Sequence, residues 1–516
     1  MRFPAKAFLL ALLAVLWFGT LGLRPLYKAD EARYAEIPRE MVASGDWITP
    51  RLNGFKYFEK PPLQYWATAG FFEVLGIHDW VSRLWAALMG FAGILLVLRA
   101  GNRLFGPPAG ALAAAVLAGS PVWVAAAQIS TLDMGLAFFL SGAVFALACG
   151  YPILFWACCA LAVLSKGLVG IVLPIATLGL YILLKRDWRL IGDVRPIAGS
   201  IVFLLIAAPW FVAVSLRNPE FAHFFFIQEH FQRFTTTVHQ RTAPVWFFLP
   251  VLALGLAPLL LPAMMAWWRG LRSPAAPFDA VFWLALWALV VLAFFSASSS
   301  KLPAYILPMF PALALLAGRY LAEGDRKLML AQGAIVATLG IAAAAILPGK
   351  GGPAYASYLP WLVAAGAVAA VLGVASLFAR KHAVIALAAA GFLATQLAII
   401  GHGTISERFS AAALVASIEP KPPANVPVYA VDTYDHTLPW YLRRTVTMVV
   451  YRDELGAAVD WDRSLFVPTV AEFERRWPAH PQAYAFIGSG EYEKLAARLP
   501  MKVIARDARY VFVRKP

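Results

Sequence analysis

Charged side chains that interrupt apolar sequence are the groups in this chain with chemistry to offer. Asp30 and Glu31 follow directly on the first apolar run, in KADEARYAEIPREM (28–41), and Asp30, Arg33 and Glu36 fall on one face at helical spacing. A second acid, Asp133, stands in the short polar stretch STLDM. Two carboxylates at one cavity can deprotonate a nucleophile or hold a cation. The plainer readings are intrahelical ion pairs for the first cluster and a helix cap for Asp133. Lys166 in LSKGL and Lys301 in SSSKLPAYILP interrupt apolar sequence at helix ends, where snorkelling is the plain reading. The other reading is anion binding, because Arg33, Lys60, Lys166, Arg233, Arg241 and Lys301 all fall on one membrane face with the acids. A phosphate leaving group together with a base suits such a mixed site.

The elements that must position these residues are membrane helices. Of 516 residues 61% are hydrophobic and only 14% charged, well below the quarter or so usual in soluble domains. Apolar windows predict thirteen spans, near 6–23, 80–100, 108–127, 134–150, 152–164, 168–184, 197–216, 246–268, 279–296, 303–321, 329–347, 358–378 and 384–402. The first has a basic start and an apolar core but no convincing cleavage site, and is read as a retained signal anchor. The stretch 63–77 carries Gln64 and Glu73 and is too short to count; it predicts a helix at the interface or packed in protein.

Orientation follows from the basic residues. With the N-terminus cytoplasmic, fifteen Lys and Arg fall in inside segments and only Lys166, Lys301 and Lys350 in short outside loops. Two longer outer-face loops result, 24–79 and 217–245. The second alternates aromatic clusters with His and Arg, as in a segment half sunk among headgroups. The domain expectation is a membrane domain over 1–402 and a separate periplasmic α/β domain over 403–516, where 28 of 114 residues are charged. Strand-like runs at 426–431, 445–451 and 510–514 alternate there with helix-like 470–477 and 492–499.

Several function classes drop out. The net charge of +15 is spread over helix ends with no dense basic run, which argues against nucleic acid. Cys149, Cys158 and Cys159 form neither a disulfide framework nor a zinc ribbon. No GxGxxG after a strand and no GxxxxGK[ST] is present. No internal repeat emerges, which weighs against a two-repeat transporter.

DEARYAEIPREM, GDWITPRLNGFKYFEKPPLQYW, LDM, SKG and SSSKLPAYILP together resemble the bacterial GT-C glycosyltransferases of the ArnT (aminoarabinose transferase) type, relatives of the protein O-mannosyltransferases. The resemblance covers most of the first 320 residues. It implies an all-α polytopic membrane fold that moves a sugar from an undecaprenyl-phosphate carrier to an acceptor on the periplasmic face of the inner membrane, commonly lipid A. It implies Asp30 as the catalytic carboxylate, Asp133 as the second, and Lys60 of EKPP as the phosphate-contacting lysine. Arg33, Lys166, Arg233, Arg241 and Lys301, on the same face, and Tyr305 complete the expected substrate contacts. The resemblance also implies a divalent metal ion near Glu59 and a histidine of the second outer loop, His239 in preference to His230, with a structural hydrogen-bonding histidine as the other reading. Partners are then the lipid-linked donor, lipid A or a similar acceptor, and membrane lipid, with the protein acting as a monomer. Transfer to protein hydroxyls, or transport of the lipid-linked sugar, are the rival readings.

Overall fold

A computed structural model describes residues 5–232, 243–273, 278–348, 350 and 352–516. The chain folds as two compact units: Met1–Leu21, Glu59–Gln64 and Arg83–Thr404 form one, and Gly22–Phe58, Tyr65–Ser82 and Ile405–Pro516 the other.

The first unit is helical throughout. Each of the thirteen apolar windows coincides with a helix or with a bent helix pair. Among the described residues seven helices are by themselves long and apolar enough to cross a membrane, or nine with each bent pair taken as one span. Four further apolar helices, Phe8–Phe18, Asp133–Ala148, Pro152–Lys166 and Val169–Lys185, are shorter. The two breaks, of 66° after Ala118 and 71° after Gly255, precede Pro121 and Pro258, whose rings cannot continue a helix.

Lipid offers no hydrophobic driving force between helices, so close backbone approach and satisfied polar groups hold them together. Gly333 and Gly340 of Arg326–Ile346, and Gly366 and Gly373 of Leu359–Phe378, repeat at seven residues, two helical turns. A Cβ on Gly340 would lie 2.4 Å from Ala370 N, and one on Gly373 2.5 Å from Ala337 N. Buried indoles find carbonyls: Trp123 Nε1 donates to Gly90 O at 3.1 Å, and Trp283 Nε1 to Val144 O at 2.9 Å.

The second unit holds the predicted C-terminal α/β domain and most of the first outer loop, so it is larger than the 403–516 stretch marked out by charge. The loop contributes a hairpin of β1 (Arg51–Leu52) and β2 (Phe55–Lys56) across Asn53-Gly54, both at positive φ, as a two-residue turn requires. Six strands follow: β3 (Val428–Val431), β4 (Thr447–Val449), β5 (Phe466–Val467), β6 (Tyr484–Gly488), β7 (Lys502–Arg506) and β8 (Tyr510–Arg514). Their order is β5-β4-β3-β6-β8-β7, parallel from β5 to β6 and antiparallel at the β8 end. The helix Val470–Ala479, capped by Thr469, buries Phe473 and Trp477 in this sheet's core.

Long-range polar contacts explain why the loop belongs here. Asn53 takes both main-chain groups of Val446, accepting from its N–H at 2.7 Å and donating to its carbonyl at 2.9 Å. Asp79 accepts from Trp440 Nε1 at 2.8 Å and from the Tyr441 hydroxyl at 2.7 Å. Side chains whose partners stand more than 350 residues away leave no mark in local sequence.

Candidate functional site

The first cluster is built on the helix Asp30–Ser44. It ends at Gly45, whose φ of +69° closes a left-handed cap with its N–H on Met41 O at 2.9 Å. Most of the helix is buried on all sides, so the solvated juxtamembrane helix is not what forms. Charge gathered in such a place has to be paired. Glu31 takes Arg24 in a bidentate pair, with Nη2 donating at 2.9 Å, and Glu36 accepts from Arg39 Nε at 2.7 Å.

Asp30 is the exception, with its side chain 47% exposed. Arg33 Nη1 donates to Asp30 Oδ1 at 3.1 Å, while its Nε donates to Glu454 Oε1 at 3.0 Å and its Nη2 pairs with Glu454 Oε2. His436 Nε2 meets the same Glu454 Oε1 at 2.6 Å. Asp30 is thus the open end of a chain Asp30–Arg33–Glu454–His436. Burial works to raise the Glu454 carboxyl, but the Arg33 charge and the His436 hydrogen bond override it and hold it at about 2. Arg33, expected to contact substrate, has its guanidinium taken up by these two carboxylates.

Glu40 lies in the same unit and is buried, not on a solvated face. Its Oε2 accepts the Gly54 N–H at 2.9 Å, and its Oε1 has no partner among the described residues. Burial, reinforced by the Glu36 charge, pushes Glu40 up to about 8.

Three lysines dominate the first unit. Lys166, at the C-terminus of Pro152–Lys166, pairs with Asp133 at the N-terminus of Asp133–Ala148, which suits the dipoles of two antiparallel helices. Asp133 therefore serves an ion pair and makes no side-chain cap. The Lys166 ammonium also stands 4.9 Å from the centre of the Tyr305 ring, so three expected site residues come together.

Lys60 donates to the Glu59 carbonyl at 2.7 Å and lies 3.4 Å from Glu229 Oε2 and 3.8 Å from Glu59 Oε2. Glu229 sits in the π-helical segment His223–Gln232. Two carboxylates thus converge on one ammonium. Glu59, expected beside a metal ion, faces this lysine, and among the described residues no group of three His, Cys, Asp or Glu side chains could hold a metal. His239, Arg233 and Arg241 lie outside the described residues.

Lys301 differs from the other two. It is 7% exposed, its ammonium donates to the Ser298 carbonyl, and no carboxylate among the described residues is within ion-pair reach. The hydroxyl of its neighbour Ser300 is buried without a partner among those residues.

Sequence reasoning had passed over Glu454, His436 and Glu229. Glu229 had a signal, since it lies in the aromatic loop singled out for its His and Arg. Glu454 and His436 sit in a stretch where charge is ordinary and had none.

Comparison with known proteins agrees with these motifs. Residues 414–515 match a family described as the aminoarabinose transferase C-terminal domain, and 59–212 one described as dolichyl-phosphate-mannose-protein mannosyltransferase. An undecaprenyl phosphate-alpha-4-amino-4-deoxy-L-arabinose arabinosyl transferase of Edwardsiella ictaluri is 34% identical over 62% of this chain; the chain spans 60% of that relative's length. The crystal structure of ArnT from Cupriavidus metallidurans bound to undecaprenyl phosphate superposes with a TM-score of 0.93 at 36% identity, covering 99% of this chain and 98% of that one. The Archaeoglobus fulgidus oligosaccharyltransferase in its apo form shares the fold at 14% identity, with a TM-score of 0.51 over 86% of this chain and 64% of that one.

Proposed function

The chain belongs to the ArnT family of multi-pass membrane glycosyltransferases, and on that premise we propose that it moves a sugar from an undecaprenyl-phosphate carrier to an acceptor on the periplasmic face of the bacterial inner membrane. The relatives' names point to 4-amino-4-deoxy-L-arabinose as that sugar, and lipid A or another envelope glycolipid is the proposed acceptor.

The observation that carries this reading is the buried charge of Lys301. An ammonium removed from water without a counter-charge costs several kcal/mol. Lys60 and Lys166 have carboxylates to offset that cost and Lys301 has none among the described residues, so a bound anion is what completes it. A phosphate diester in the membrane is such an anion. In the transfer, an acceptor oxygen attacks the anomeric carbon, the bond from that carbon to the phosphate oxygen breaks, and polyprenyl phosphate leaves with the electron pair. Asp30 orients the acceptor and takes its proton where the acceptor is a hydroxyl. Lys301 and Lys60, joined by Arg233, Arg241 and the Asp133–Lys166–Tyr305 group, stabilise the charge that grows on the phosphate. Glu59 and His239 would hold the divalent ion that the family resemblance implies, adding positive charge beside the phosphate; transfer that survives exhaustive chelation overturns that part.

The match of residues 59–212 to protein mannosyltransferases favours a second reading, in which the acceptor is a protein hydroxyl. Purified protein incubated with a labelled undecaprenyl-phosphate sugar and either lipid A or total membrane protein separates the two. Label on lipid A supports the first reading and label on protein the second. Label carried across a sealed bilayer with no transfer would make the chain a transporter and overturn both.

A further inference from the structure

Gln64 opens the helix Leu63–Leu75 directly after Lys60-Pro61-Pro62, and it is 2% exposed. Both its amide nitrogen and its amide oxygen are buried with no hydrogen-bond partner among the described residues. A carboxamide carries two donors and two acceptor sites, and leaving it dry and unpaired is among the more costly things a buried side chain can do.

The fold does not treat its other buried glutamines this way. Gln128 donates to Trp17 O at 2.8 Å and accepts from the Thr20 hydroxyl at 3.2 Å. Gln332 accepts from Leu261 N and donates to Ala257 O, each at 2.8 Å. Gln396 donates to Leu16 O at 3.5 Å and shares the one Thr20 hydroxyl with Gln128. Each of these has its amide nitrogen on a main-chain carbonyl. Among the described residues Gln64 has neither end served, four residues beyond Lys60 and its two carboxylates.

The backbone on its N-terminal side is short of donors. Pro61 and Pro62 have no N–H, so two successive positions between Lys60 and the helix lack a main-chain donor. The amide also says what it lacks. A phosphate oxygen could satisfy only the NH2, whereas a sugar hydroxyl both donates and accepts and a ring amine donates to the oxygen.

We infer that Gln64 is a specificity-determining residue that binds the sugar of the donor, pairing its amide with a hydroxyl or amine of the ring and leaving the phosphate to the lysines. The inference rests on the glycosyltransferase reading and adds to it the residue that reads the sugar.

The test compares two ligands on the full chain in lipid nanodiscs: undecaprenyl phosphate, and undecaprenyl phosphate carrying 4-amino-4-deoxy-L-arabinose. Gln64→Met keeps the length and removes every polar atom. The variant should bind the bare carrier as wild type does and the sugar-loaded carrier roughly 10- to 100-fold more weakly. Its melting temperature without ligand should equal or exceed that of wild type, because an unpaired amide has been removed. If Met does not fold, Gln64→Leu takes its place. Unchanged binding of the loaded carrier leaves Gln64 with an ordered water only, and equal weakening of both ligands makes it a carrier contact; either result overturns the inference. Wild-type protein that binds neither ligand overturns the glycosyltransferase reading, a failure visible before any variant is made.

Discussion

Arg33 meets Glu454 through one edge of its guanidinium, Nε donating to Oε1 at 3.0 Å and Nη2 pairing with Oε2, and with its remaining arm, Nη1, it holds Asp30. A planar fork on a carboxylate fixes orientation as well as position. Asp30 itself is too exposed to be held by burial, so the C-terminal residues Glu454 and His436 act as positioning residues for it.

Glu454→Gln should therefore lower kcat with little change in KM, and it should cost stability. The Glu454 carboxyl is depressed from 4.5 to about 2, so it contributes stability above pH 4.5 that is lost as pH falls towards 2. The depression is worth about 3 kcal/mol. Melting curves from pH 3 to 7 check it: the variant should be less stable at pH 7 and show a flatter acid limb. A variant with an acid limb like that of wild type shows that the pair does not stabilise this unit.

Asp30→Asn keeps the shape and the Arg33 contact but removes the basicity. We expect a folded protein that binds undecaprenyl phosphate and transfers sugar about 10²–10⁴ times more slowly. Turnover near the wild-type rate would make Asp30 an ion-pair partner for Arg33 and nothing more.

Glu40 behaves in the opposite sense to Glu454. Its carboxyl is raised to about 8, so the folded state holds a proton that the unfolded chain has lost, and stability falls as pH rises from about 4.5 to about 8. Glu40→Gln imitates the protonated form. It should be active, should remove that decline, and should gain roughly 4 kcal/mol over wild type at pH 8. Thermal unfolding at pH 6 and pH 8 measures both effects, and parallel curves for the two proteins would contradict this account.

Lys60→Ala should weaken binding of undecaprenyl phosphate by loss of a charge-assisted contact worth roughly 1.5–3 kcal/mol. It also leaves Glu59 and Glu229 facing each other without their shared cation, so the double variant with Glu229→Gln should be more stable than Lys60→Ala alone. Donor affinity unchanged in both variants removes Lys60 from the phosphate site.

A C-terminal alkaline phosphatase fusion should be active and a C-terminal fluorescent protein dark, as the distribution of basic residues requires. The reverse result places the C-terminal domain in the cytoplasm and moves every proposed site residue with it.

Hydropathy by itself determined the helical membrane unit. A span must satisfy its own backbone and face lipid, so each one is written locally as a long apolar run, and all thirteen windows fall on helices or bent pairs. Motifs at fixed local spacing likewise marked Asp30, Lys60, Asp133, Lys166 and Lys301. What the sequence could not disclose is which charges the fold already pairs. Lys166 meets an acid 33 positions away, Lys60 one 169 positions away, and Arg33 one 421 positions away. The same blindness kept the first outer loop apart from the C-terminal domain. Local patterning records how a residue sits within a turn or two of its own element; the cost of a buried charge depends on whichever side chains the fold brings within a few ångströms. That left the tertiary structure to decide that, among the described residues, Lys301 meets no carboxylate and the Gln64 amide meets no hydrogen-bond partner.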